Sequence, residues 1–75
     1  MTKKEAIQLA RDCAATALDQ VGSRECPTLE EAIDSYFLNL GQTIADEPWT
    51  TVSAAYNAFL VTLMENEITY RPHGL

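Results

Sequence analysis

Apolar residues recur along this chain at helical spacing, and only one short stretch alternates as a strand would. Ala6, Ala10, Cys13, Ala14, Ala17, Leu18 and Val21 form a first stripe, with Ile7 beside them. Leu29, Ala32, Ile33, Tyr36, Phe37 and Leu40 form a second, and Trp49, Val52, Ala55, Tyr56, Phe59, Leu60 and Leu63 a third. The alternating exception is Ile68, Thr69, Tyr70, too short to build a sheet. Isoleucine 68 and Tyr70 are instead positioned to dock on a helical core. The pattern predicts an all-α, compact three-helix arrangement filling residues 1–75 as one small domain.

Local chemistry places the ends. Thr2 and Glu5 stand at capping-box spacing, as do Thr28 and Glu31. Gly22 supplies a stop for the first helix, and residues 22–27, rich in turn formers, connect it to the second. Asp46 followed by Pro48 reads as an acidic cap with proline in the first turn of a third helix. The expected helices are 3–21, 29–40 and 47–66, with Gly41 as a break and residues 42–45 as an optional continuation of the second. Residues 67–75 read as a tail, extended or frayed.

Two stripes have unusual character. The first is mostly alanine, so another helix can approach it closely, from this chain or from a second copy. The third is broadened by Ala54, Ala58, Val61 and Met64, so that helix calls for cover on more than one side. That cover comes either from a partner or from a central place in its own bundle. A hydrophobic content of 47% with 21% charged residues is that of a folded domain. The core available to 75 residues is small.

Charge changes the picture more than composition does. The net charge is -6. Residues 1–24 carry four bases against three acids, whereas residues 25–70 contain eight acids and no lysine or arginine. Some of those acids sit where helices start and serve as caps. Together they also make a negative surface suited to a basic partner and hostile to phosphate backbones. Direct nucleic-acid binding is therefore not expected, and the third helix lacks the cations that a recognition helix needs. The candidate partner contacts are Glu30, Glu31, Asp34, Leu38, Asp46 and Glu47, with Tyr36 and Tyr56 as aromatic anchors.

Other chemistry finds little support. The single histidine, His73, lies in the tail, where nothing holds it as a general base. No calcium loop, glycine-rich phosphate loop or zinc spacing is present, so neither catalysis nor a metal or cofactor is expected. Cys13 reads as a small core thiol and Cys26 as a loop thiol, both reduced. The first residues contain Gln8, Arg11 and Asp12, so no apolar leader core is expected there. The longest strongly apolar run, residues 58–61, is far short of a membrane span; a cytoplasmic protein is expected.

Three resemblances bear on function. Asp34 and Ser35 are similar to the attachment motif of carrier proteins, which implies a phosphopantetheine arm on Ser35. Tyr36 stands where that family has leucine, and Ser35 falls inside a helix rather than at its start. A small acidic helical chain with Tyr36, Tyr56 and Tyr70 also resembles nuclease immunity proteins in composition, without their paired-tyrosine signature. Phage-encoded inhibitors of host systems, anti-CRISPR proteins among them, share the same small acidic habit. The leading expectation is a non-enzymatic acidic inhibitor or adaptor that engages a basic, nucleic-acid-handling partner. The alternative is a homodimeric assembly subunit built on the first and third helices.

Overall fold

A computed structural model describes residues 1–21 and 28–70. It contains three helices, α1 (Lys3–Asp19), α2 (Leu29–Thr43) and α3 (Trp49–Glu65), and no strand among the described residues. The expected all-α, three-helix arrangement is the observed one. Expectations for Gly22, Cys26 and His73 lie outside the described residues.

The start of α1 is locally encoded. The Thr2 hydroxyl accepts from the Glu5 amide at 3.1 Å, and the Glu5 carboxylate accepts from the Thr2 amide at 2.9 Å. These reciprocal bonds satisfy two of the amides that a helix N-terminus leaves without partners. They also hold the Glu5 carboxyl below its ordinary range, first through the backbone bond from Thr2 and then through the hydroxyl. Thr28 begins α2 in the same manner, accepting from the Glu31 amide at 3.1 Å.

Two boundaries differ from expectation, and the end of α2, which residue order left open, is decided. Helix α1 stops at Asp19, capped by Gln20, whose amide donates to Thr16 and Ala17, and Val21 is exposed rather than on the buried stripe. Gly41 does not break α2, which runs to Thr43 and ends on the buried Ile44. Helix α3 begins after Pro48, not at Asp46: Pro48 is itself the cap, extended at ψ 148°, and its carbonyl accepts from Thr51 and Val52. A residue before proline is kept out of the helical region, so Glu47 cannot serve as a helical residue there. The consequence falls on Trp49. Thr51, 7% exposed, takes the inward place in the first turn, and Trp49 is left 73% exposed instead of joining the core.

Packing is organised around α1. Ala6, Ala10, Ala14 and Ala17 are all fully buried, and both α2 and α3 lie against this helix, while α2 and α3 scarcely approach one another. The alanine stripe thus serves contacts within the chain. The central helix is α1 and not α3, because a face of methyl groups lets two neighbours close in while bulkier side chains hold them apart from each other. Those bulkier side chains are Ile33 and Leu40 from α2, Ile44 at its C-terminal cap, and Phe59 and Leu63 from α3, all at 2% exposure or less. Each contributes about 1.5–3 kcal/mol by burial. Met1 and Glu47 show that α1 and α3 start at the same end: the Met1 ammonium lies 3.3 Å from a Glu47 carboxylate oxygen.

The end of α3 turns the chain back onto the bundle. Glu67 adopts φ 62°, its amide donates to Met64, and the Ile68 amide donates to Leu63 at 2.9 Å. These two bonds are the Schellman pattern, and the accompanying contact is supplied by Ile68, which packs on the core that includes Leu63. Residues 68–70 therefore return along the bundle, and Ile68 and Tyr70 dock as their alternation suggested.

Two stability measurements test this reading. Ala10→Leu is expected to cost about 1–3 kcal/mol in urea unfolding, whereas Ala15→Leu at an exposed site on the same helix stays within about 0.5 kcal/mol. Glu67→Gly should raise stability by roughly 1 kcal/mol, since glycine enters the left-handed region without the side-chain penalty.

Candidate functional site

The separation of α2 from α3 is filled by aromatic rings, and these make the walls of a groove. Phe37 of α2 is their hub. It stacks on Tyr56 of α3 at 4.9 Å and 21°, meets Phe59 edge-on at 5.3 Å, and lies 5.9 Å from Tyr70 of the returning tail. Each such pair adds about 0.5–1.5 kcal/mol beyond the area it buries.

On the outer side of this cluster lies a groove of about 540 Å³, lined by Asp34, Phe37, Leu38, Gly41, Gln42, Ala45, Tyr56 and Tyr70. The five α2 positions recur at three- and four-residue steps, so one helical stripe forms that wall, with Ala45 just beyond the helix end. Gly41 earns its place through close approach. A β-carbon there would lie 2.9 Å from the Tyr56 hydroxyl, so glycine lets the Tyr56 ring stay stacked on Phe37. Leu38 is 61% exposed at the rim.

Tyr70 closes one end. Its hydroxyl donates to the Asp34 carboxylate and so ties the returning tail to α2 across 36 positions of sequence. The Tyr70 hydroxyl is held well above the ordinary tyrosine range. Burial is the main cause, followed by the hydrogen bond to Asp34 and by the negative charges of Asp34 and Glu30. Glu30 lies beside this end, lining a shallow depression of about 260 Å³ with Leu29, Ile33, Ile68, Thr69 and Tyr70.

The expected contact residues divide into two groups. Glu31, Asp34 and Leu38 follow one another along one stripe of α2, the first and last exposed and Asp34 half-buried at its bond from Tyr70, with Glu30 adjacent and Tyr56 facing them from α3. Asp46 is exposed in the connector beyond Ala45, outside the groove. Glu47 is engaged by the Met1 ammonium near the start of α3. Tyr36 packs on the core and does not line the groove, because it lies one helical step away from Phe37. The expected contacts held Tyr70 only among the three tyrosines of the immunity-protein likeness and did not include Gly41. The alternation at Ile68 and Tyr70 was the available signal for the first. Nothing local announced the second, whose role depends on a ring from another helix.

Among the described residues, Lys3, Lys4 and Arg11 are the lysines and arginines, all on α1, and residues 28–70 carry seven acids. Cys13 is a free thiol, half-buried against the core, and burial more than the neighbouring Asp12 charge pushes its pKa up. A thiol so placed is a poor nucleophile near neutral pH. No group of three or more His, Cys, Asp or Glu side chains among the described residues is placed to hold a metal ion. No described helix is long and apolar enough to cross a membrane.

Compared with known proteins, the chain matches no family model, no curated protein sequence and no solved structure.

The Tyr70 contact has a defined pH signature. A raised folded-state pKa means that neutral Tyr70 favours the fold, with the full contribution present below the unfolded tyrosine value of about 10. That contribution is lost as pH rises through the folded value. Urea unfolding across this alkaline range should show a decline in stability that is reduced in Tyr70→Phe. Ultraviolet titration should show a late phenol ionisation that Tyr70→Phe removes.

Proposed function

We propose that this chain is a non-enzymatic protein-binding module, of inhibitor or adaptor type, whose α2 stripe and adjoining groove engage a basic surface on a partner protein. The observation that carries the reading is the setting of Leu38. It is a largely exposed apolar side chain in line with Glu31 and Asp34, at the rim of a groove floored by Phe37 and Tyr56. An apolar anchor beside aromatic walls and ringed by one sign of charge is the composition of a binding hot spot with a steering rim. The absence of lysine and arginine from residues 25–70 makes that rim uniformly negative in type. Nucleic-acid-handling proteins are natural partners, because their grooves present the cations that carboxylates can occupy.

Exposure of Trp49, Val61 and Met64 on α3 favours a second reading, a homodimeric assembly subunit that joins copies through α3. The buried alanines of α1 are not free to take part. Ser35 is exposed in the interior of α2, away from the helix start where a carrier protein places its attachment serine.

Affinity capture with the purified chain, followed by titration of the identified partner, tests the proposal. Binding should weaken as salt rises, and the Glu30→Lys, Glu31→Lys double variant should lose about tenfold or more in affinity. Leu38→Ser should slow association little and speed dissociation. Affinity indifferent to salt and to all three substitutions overturns the reading. A mass near twice 8.3 kDa that is abolished by substitution at Val61 and Met64 supports the second instead.

A further inference from the structure

The other flank of α3 has the opposite character. Between α1 and α3 runs a groove of about 650 Å³ that shares no residue with the acidic one. Its apolar surface comes from Ile7 on α1 and Trp49, Ala54 and Val61 on α3, and its charged groups are Lys3 and Arg11. No carboxylate lines it. Two of the three described cations in a chain of net charge -6 thus border one groove, and the most exposed large apolar side chain, Trp49, stands at its mouth.

This concentration is a product of the fold and of no local rule. Capping at Thr2 fixes where α1 begins, and the Met1–Glu47 ion pair marks the start of α3 at the same end. The two helices then run in the same direction, which sets Lys3 near Trp49 and carries Arg11 farther along the groove. Trp49 is available because proline caps α3 one residue earlier and Thr51 takes the inward place.

We infer that the α1–α3 groove binds an acidic amphipathic helix of a partner protein, seating its apolar face on Trp49, Ile7 and Val61 and its carboxylates on Lys3 and Arg11. Helix-in-groove recognition needs an apolar trough with anchors spaced over a few turns. The groove supplies this: Trp49 and Val61 are about 18 Å apart along α3, and Lys3 and Arg11 about 12 Å apart along α1. The occupant's acids are therefore seven or eight residues apart, two helical turns, so that both meet a cation. An extended polyanion is disfavoured, since a membrane surface or nucleic acid would also meet the acids of α2 and α3. A single helix lies within the groove, and charges farther away than about 8 Å are screened at physiological salt. With basic surfaces engaged by α2 and acidic helices held between α1 and α3, the module is an adaptor that can join two partners of opposite charge. That last step rests on the function proposed above; binding in this groove does not.

Selection from a displayed library of 16-residue peptides against the intact chain tests the inference, with Trp49, the one tryptophan, as a fluorescent reporter. Selected peptides are expected to be net negative, with apolar residues at helical spacing and acids seven or eight positions apart. Their binding should shift Trp49 emission to the blue as the indole leaves water. The Lys3→Glu, Arg11→Glu double variant, altered only at exposed sites, should keep its circular dichroism and lose about tenfold or more in affinity. The Glu30→Lys, Glu31→Lys variant should bind these peptides undiminished, so this inference and the proposed α2 surface fail separately. Three results overturn it: no peptides selected, peptides of net positive charge, or binding indifferent to the Lys3 and Arg11 reversals. A blue shift caused by phosphatidylserine vesicles and not by the acidic peptides assigns the groove to membranes and overturns it equally. So does a blue shift that follows the protein's own concentration, which makes the occupant a second copy.

Discussion

Four alanines on one face of α1 set the distance at which both other helices lie, and the rest of the architecture follows from it. With Ala6, Ala10, Ala14 and Ala17 fully buried, α1 presents a nearly flat surface of methyl groups. Such a surface contributes little burial of its own, but it allows the large side chains of α2 and α3 to reach the core from both sides. A small chain gains from this arrangement. Its few large residues, Phe59, Ile33, Leu40, Ile44 and Leu63, are spent on the two outer helices, and each becomes fully enclosed. Closeness to α1 also keeps α2 and α3 apart, and that separation creates the acidic groove between them.

The α2–α3 gap is stabilised as an aromatic joint rather than closed by helix contact. Phe37 meets Tyr56, Phe59 and Tyr70 at once, so its ring links two helices and the returning tail. Several local features serve that joint. Gly41 leaves room for the Tyr56 hydroxyl, the left-handed turn at Glu67 redirects the chain, and Asp34 accepts from Tyr70. Glycine inside a helix and glutamate in the left-handed region are both locally unfavourable. Their presence shows that tertiary packing outweighs local preference at these two positions.

Charge is sorted by the same geometry. The described lysines and arginines ride on α1, and two of them, Lys3 and Arg11, line the groove that α1 borders. The stripe of α2 that faces away from α1 carries Glu31, Asp34 and Leu38 and borders the other. The bundle therefore presents two apolar-floored surfaces of opposite sign on the two flanks of α3. This polarity is invisible in the net charge, which reports only the excess of acids.

Helix number, the capping at Thr2 and Thr28, the near-alanine face of α1 and the base-free run of residues 25–70 were all legible from residue order, because periodicity, capping and charge are local or additive properties. The grouping of Glu30, Glu31, Asp34 and Leu38 was legible for the same reason, since one helix carries them all. The misplacements have physical causes that are not local. Whether Gly41 breaks α2 stayed open in the residue order because its compensating contact, Tyr56, is fifteen residues away in the chain; Trp49 read as core because its burial depends on where Pro48 caps α3. Residue order also did not show that Glu47 meets the Met1 ammonium or that Tyr36 is half-buried against the core. The central place of α1, the aromatic joint and the pairing of Lys3 and Arg11 with Trp49 arise only once three helices pack. Each depends on which surfaces meet, and that is fixed by the fit of a flat alanine face between two bulky ones.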